Sequence, residues 1–226
     1  SPPEFPSEER IPVLLVPGFG LNRGSMFMLA LYLRRCGWRW VHAINHRPRN
    51  TTVPLLARNL AHEIEETCAA AGVEKVDVIG HSMGGIVAAF YINELNGRAR
   101  VRRLVTLGTP WAGTRAWVFG WRREARDLAP GSPVLAAAVP PRVPTTSIWS
   151  ASDAIVLPPE SSVLQGASVV QLAHVGHLEM LFNGRAWRAA GEALAVPTPD
   201  ATATPPRSAE GESEPSAAGG RAAEPA

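Results

Sequence analysis

Asp77 to Phe90 reads "DVIGHSMGGIVAAF", one serine set among three glycines between an apolar run and a small-residue run. Glycine at this density costs conformational entropy on folding, so it marks a backbone that must turn tightly or pass close to a neighbour. The residues before it, "KVDVIG", have the length and apolar content of a buried strand. Those after it, "MGGIVAAFYINELNG" (Met83 to Gly97), form a helix closed by glycine. A strand turning into a helix at Gly80-His81-Ser82-Met83-Gly84 fits G-x-S-x-G in the context that pattern requires. In such a turn the serine takes a strained conformation, and a side chain at either flanking glycine would strike a strand or the helix.

Working outward, the same alternation of apolar runs and amphipathic segments continues in both directions. Ile11 to Gly18, Trp38 to Ile44, Val101 to Pro110, Thr145 to Ser150 and Ser168 to Ala173 read as further strands. Ser25 to Gly37, Val53 to Gly72 and His177 to Ala195 have helical spacing, the last with a break near Gly184. Strands that are apolar throughout and alternate with helices imply a parallel sheet covered on both faces. The expected architecture is therefore an α/β three-layer sandwich with a mostly parallel sheet of about six strands, its functional groups at the carboxyl ends of the strands.

Three segments stand apart. Residues 1–10 ("SPPEFPSEER") read as a flexible leader, and 196–226 as a disordered tail rich in Pro, Ala, Gly and Glu. Residues 111–144, rich in Trp, Arg and Pro, interrupt the 11–195 domain as an irregular, lid-like excursion.

Bulk properties narrow the function. The chain has 226 residues, 46% hydrophobic and 19% charged, which suits one well-buried core. With 22 Lys and Arg against 20 Asp and Glu, the formal net charge is +2 and the arginines are scattered, which argues against a nucleic-acid partner. No apolar run reaches transmembrane length. The two cysteines, Cys36 and Cys68, fall in different helices without a metal-ligand spacing, and two buried free thiols are expected. The chain does not open on methionine, so trimming of its N-terminus is expected.

A serine hydroxyl needs a base to take its proton, and the base needs an orienting group. In this architecture the partners follow the serine in the order acid, then histidine. Of the six histidines only His174 and His177 follow Ser82. His177, after "VG" and at the opening of the last helix, is the preferred base; His174, nearer the strand, is the alternative. His81 is expected to point away from the nucleophile, and His42, His46 and His62 to lie on strand, loop and helix surfaces. Asp153, directly after "TTSIWS", is the preferred acid. Glu160 and Glu179 read more simply as surface charges, Asp127 lies in the excursion and Asp200 in the tail. An oxyanion would need two backbone donors. Met83, at the start of the helix, supplies one, and Phe19, in the glycine-flanked turn "VPGFGLN", the other.

With these residues placed, the chain resembles the small bacterial serine lipases and esterases of the α/β-hydrolase superfamily, from the first strand to the last helix. "GHSMGG" is shared widely; "LGTPWAGT" (Leu107 to Thr114) with "ARDLAPGSPVL" (Ala125 to Leu135) is similar to the segment after the sixth strand of bacterial lipases. "SIWSASDAIV" and "AHVGHLEML" look like the acid and histidine segments of the minimal lid-less lipases. Two departures stand out: Pro17-Gly18 replaces the common His-Gly before the oxyanion residue, and the first two strands of the superfamily are absent.

The resemblance implies ester hydrolysis through an acyl-serine at Ser82, with His177 and Asp153, and no cofactor or metal. It implies an apolar, lipid-like ester as substrate, transient contact with a lipid interface, and a secreted or cell-envelope location. Leu21, Trp111, Trp117, Ile155 and Leu178 are the expected acyl contacts, with Trp111, Trp117, Phe119 and Trp121 forming an aromatic cluster in the excursion. A thioesterase, acyltransferase or amidase would share the same triad. A non-catalytic hydrolase-like binding protein is the reading from a different class.

Overall fold

A computed structural model describes residues 11–46, 51–116 and 123–196. The leader 1–10, the tail from 197 onward, and Trp117, Phe119 and Trp121 lie outside the described residues.

Six strands form one sheet: β1 (Val13–Val16), β2 (Val41–Ala43), β3 (Val76–His81), β4 (Val101–Leu107), β5 (Thr145–Trp149) and β6 (Ser168–Gln171). Their order is β2-β1-β3-β4-β5-β6, and every neighbouring pair is parallel. A parallel sheet buries both faces, so its inner strands are apolar on consecutive residues. In β1, Leu14 and Val16 enter one core and Val13 and Leu15 the other.

Helices α1 (Phe27–Arg35), α2 (Val53–Ala71), α3 (Met83–Glu94), α4 (Arg123–Arg126), α5 (Pro133–Ala138) and α6 (Gly184–Ala195) complete the described residues' α-helical structure. α2, α3 and α5 contribute to the core on one face, and α1 and α6 to the core on the other. In α2, Leu56, Leu60, Ile64 and Cys68 recur every four residues along the buried stripe. α3 is buried nearly all round, as its small and apolar composition requires.

The last helix breaks as expected, a short 3-10 turn at Glu179–Leu181 preceding α6, whose first turn is capped by the Asn183 side chain. The described part of 111–144 differs from the irregular segment expected. It contains α4 and α5, and Leu128, Leu135 and Ala138 enter the core beside α3. Ser132 caps α5 through its hydroxyl and Pro133 occupies the first turn.

At the amino end of the sheet, buried Asp77 is held bidentately by Arg102, with contacts of 2.9 and 2.6 Å. Arg103 crosses to the Ala193 carbonyl of α6 at 2.8 Å. The opposite, carboxyl end holds the candidate site. There the chain leaves β1 toward β2 on one side and returns to β3 on the other, so the strand order reverses between β1 and β3. Cys36 and Cys68 are both buried and unbridged. Among the described residues no helix is long and apolar enough to cross a membrane.

Candidate active site

Ser82 sits between β3 and α3 with φ 54° and ψ −125°. A positive φ at a residue with a side chain is strained and persists only where the surroundings enforce it. Three main-chain anchors do so. Ser82 N–H donates to the Leu107 carbonyl at 2.8 Å, and the Ser82 carbonyl accepts from Thr109 Oγ1 at 2.9 Å and from Gly85 N–H at 3.0 Å. The flanking glycines are required by close backbone approach. A Cβ on Gly80 would lie 2.5 Å from Gly85 N, and one on Gly84 would lie 2.2 Å from the Val16 carbonyl oxygen. The elbow is therefore compressed against its own helix on one side and β1 on the other.

Asp153 lies in the turn after β5, and its Oδ1 accepts from the N–H groups of Ile155 (2.9 Å) and Val156 (2.8 Å). This is the self-bonding turn that aspartate favours, and it aims the second oxygen outward. Asp153 Oδ2 meets His177 Nδ1 at 2.6 Å, with both side chains buried. A carboxylate only accepts, so Nδ1 carries the hydrogen and His177 Nε2 is left as a proton acceptor. Ser150 Oγ accepts from Ser152 N–H at 3.1 Å and from Val175 N–H at 3.4 Å, tying the aspartate turn to the histidine loop. Glu179 braces that loop from outside, accepting from Gly176 N–H at 3.1 Å and from Asn183 Nδ2 at 2.8 Å. The hydrogen bond from Gly176, and then that from Asn183, hold the Glu179 carboxyl below its ordinary range.

Ser82 and His177 both border the turn that ends β4. Ser82 N–H is bonded to Leu107, and a Cβ built on Gly108 would lie 3.0 Å from His177 Nδ1. His174, the alternative base, is exposed and in the left-handed region (φ 55°), and Asp153 takes His177 instead.

The turn after β1 carries Phe19, half-buried against the first core, and is closed by Leu21 N–H donating to Gly18 at 3.2 Å. Two residues following β2 hold it. His46 Nε2 donates to the Pro17 carbonyl at 2.6 Å, and Asn45 Oδ1 accepts from Arg23 N–H at 3.0 Å. His46, expected on a loop surface, is thus half-buried and bonded to the residue before Gly18; a lone loop histidine carries no signal of such a partner. His42 and His62 are exposed, on strand and helix.

His81, expected to point away from the nucleophile, meets a partner which that expectation did not include, the ring of His177. Fully buried, its ring lies 4.8 Å from that of His177, centroid to centroid. Burial, and then the neighbouring His177, push the His81 imidazole down to about 3.

Of the expected substrate contacts, Ile155 (44% exposed) and Leu178 (47%) flank the Asp153–His177 pair in the chain, and Leu157 is exposed nearby. Leu21 is half-buried against the second core. Trp111 is drawn into the first core, with its Nε1 donating to Ser147 Oγ at 3.1 Å. Met83 likewise packs its side chain in the core, leaving its main chain at the head of α3. Among the described residues no group of three or more His, Cys, Asp or Glu is arranged to hold a metal ion.

A parallel sheet with a serine on a strained strand-to-helix turn, and a carboxylate-backed imidazole at the same end, defines a hydrolase-type α/β fold. The family model for the alpha/beta hydrolase fold matches residues 11–139, more than half of the chain, and the chain belongs to that family. Among solved structures it is similar to Aspergillus fumigatus lipase B, with a TM-score of 0.70 and 20% identity, covering 84% of this chain and 54% of that one. It is also similar to Bacillus licheniformis lipase BlEst2 in its mature form, with a TM-score of 0.68 and 15% identity, covering 86% and 96%. Among relatives by sequence, Sus scrofa 1-acylglycerol-3-phosphate O-acyltransferase ABHD5 is 34% identical over 111 residues. That match takes in 45% of this chain and 30% of that protein.

Proposed function

We propose that the protein is a serine hydrolase that cleaves carboxylic esters of apolar, lipid-like acyl groups through an acyl-serine intermediate. The observation that carries this reading is the buried 2.6 Å contact between Asp153 and His177 at the sheet end that bears the strained Ser82. Ser82 Oγ attacks the acyl carbon while His177 Nε2 takes its proton. The resulting oxyanion is stabilised by the backbone N–H groups of Met83 and Phe19. Collapse breaks the ester C–O bond, and His177 returns the proton to the leaving alcohol. Water then attacks the acyl-enzyme, giving its proton to His177, and Ser82 leaves with that proton restored. Exposed Ile155, Leu157 and Leu178 supply an apolar rim for the acyl chain and for contact with a lipid interface.

A second reading, acyl transfer, is favoured by the similarity to the pig 1-acylglycerol-3-phosphate O-acyltransferase. The acyl-enzyme is the same in both, and an alcohol replaces water in the second half. The experiment combines a fluorophosphonate probe, nitrophenyl esters of increasing chain length and Ser82→Ala. Labelling and turnover in the wild type, both lost in Ser82→Ala, are expected. A wild type that neither labels nor turns over any ester would return the chain to the non-catalytic reading. Turnover that yields a new ester when glycerol or a lysophospholipid is added would move it to acyl transfer.

A further inference from the structure

His81 ends β3 directly before Ser82 and has no solvent exposure. Burying an imidazole costs free energy unless its polar atoms are paired. Its Nε2 lies 3.1 Å from the main-chain oxygen of His177, 96 residues along the chain. A carbonyl oxygen can only accept, so Nε2 carries the hydrogen and donates. Nδ1 is then a bare acceptor, buried and without a hydrogen-bond partner. The planes of the His81 and His177 rings are inclined by 50°. His177 is therefore held at three points: Nδ1 by Asp153, its carbonyl by His81 Nε2, and its ring by the His81 ring.

A residue kept only to fill space would not be a histidine. Phenylalanine would occupy the same pocket without an unpaired nitrogen, at lower cost of burial. What histidine adds is the donor to the His177 carbonyl together with a flat ring against the imidazole.

We propose that His81 is a positioning residue: its hydrogen bond to the His177 carbonyl and its ring contact fix the angle at which His177 bridges Asp153 and Ser82. This rests on the reading of Ser82, Asp153 and His177 as nucleophile, acid and base. Because His81 and Ser82 are consecutive, the base is registered against the same dipeptide that carries the nucleophile. Asp153 fixes which nitrogen of His177 holds the hydrogen, and His81 fixes where the ring stands. His81 remains neutral in this pocket, so it adds no repulsion when His177 takes up a proton.

The test compares full-length wild type with His81→Phe, which keeps a ring without the donor, and His81→Gln, which keeps a donor at similar reach. Three quantities are read: kcat and KM on a nitrophenyl ester, the thermal midpoint, and the downfield proton NMR signal of the His177–Asp153 hydrogen bond. In His81→Phe, kcat is expected to fall roughly 10- to 100-fold with KM within about twofold, the signature of a misplaced catalytic group. The downfield proton is expected to shift or broaden, and His81→Gln to recover part of both. Wild-type kcat and an unmoved downfield proton in folded His81→Phe would overturn the inference, whatever happens to the thermal midpoint. If His81→Phe does not fold, His81→Ala is judged by the same criteria. A wild type inert to esters and to the fluorophosphonate probe would remove the proposed function, whereas the NMR signal reports on the His81 contact independently of turnover.

Discussion

Asp153 Oδ2 lies 2.6 Å from His177 Nδ1, and neither residue is more than 4% exposed. A charge-assisted hydrogen bond closed to water sets both the tautomer and the orientation of the ring. Asp153→Asn keeps an oxygen for the N–H groups of Ile155 and Val156, so the turn survives. Its amide, however, donates toward Nδ1 and favours the wrong tautomer. We expect kcat on a nitrophenyl ester to fall by about three to four orders of magnitude, with far-UV circular dichroism unchanged.

Gly108 is the turn residue that this pair rests against. Its φ is +58°, and an added Cβ would lie 3.0 Å from His177 Nδ1 and 3.2 Å from Asp153 Oδ2. Gly108→Ala is expected to lower kcat at least about tenfold by moving the ring, besides costing about 1–2 kcal/mol for the left-handed backbone. Gly166 has a similar φ of +79° with open space around it. Gly166→Ala should show the stability loss in urea denaturation without the loss of kcat.

The burial of His81 makes stability depend on pH. Unfolded, the imidazole takes up a proton near 6.5; folded, it does so only at about 3. Above pH 6.5 it is neutral in both states and contributes no slope. Between 6.5 and 3 the unfolded chain binds a proton that the folded protein refuses, so stability falls as pH falls, by up to about 1.4 kcal/mol per pH unit. Below about 3 both states are protonated and the slope ends. His81→Gln, which does not titrate, should show a shallower decline between pH 6 and 4.5 in urea unfolding. Equal slopes in the two proteins would refute this assignment.

Asp127 serves a helix distant from it in sequence. Its Oδ2 accepts from Val53 N–H at 2.6 Å, at the head of α2, where Thr52 makes no side-chain cap bond. A carboxylate there meets both an unpaired donor and the positive end of the helix dipole. Asp127→Ala is expected to cost about 0.5–2 kcal/mol, and to speed hydrogen exchange in the first turn of α2. Asp127→Asn should retain part of the stability.

The inner strands were legible because a buried parallel strand is apolar on consecutive residues, as in Val13–Val16. The positions of Ser82, Asp153 and His177 were legible for a different reason, since each follows a strand at its carboxyl end. Contacts that join distant segments were not. The alternation of β3 turns His81 away from Ser82, yet a loop 96 residues later meets its ring, and nothing in "GHSMGG" announces that loop. Trp111 has the same apolar character whether it lines a groove or packs in a core; its bond to Ser147 decides for the core. The helix at Pro133–Ala138 did leave a signal, Ser132 followed by Pro133, but the surrounding prolines hid so short an element.

The clearance between Gly80 and Gly85, and between Gly84 and Val16, leaves no room for even a methyl group. Main chain there bears directly on main chain, with no side chain between to yield. Ser82 is consequently mounted on a joint that a shift of side chains cannot loosen. Under the proposed ester hydrolysis, adjustment to different acyl groups would fall instead on Ile155 and Leu178, which stand exposed on turns. Changes of acyl preference should therefore be sought by varying those two positions while the elbow is left intact.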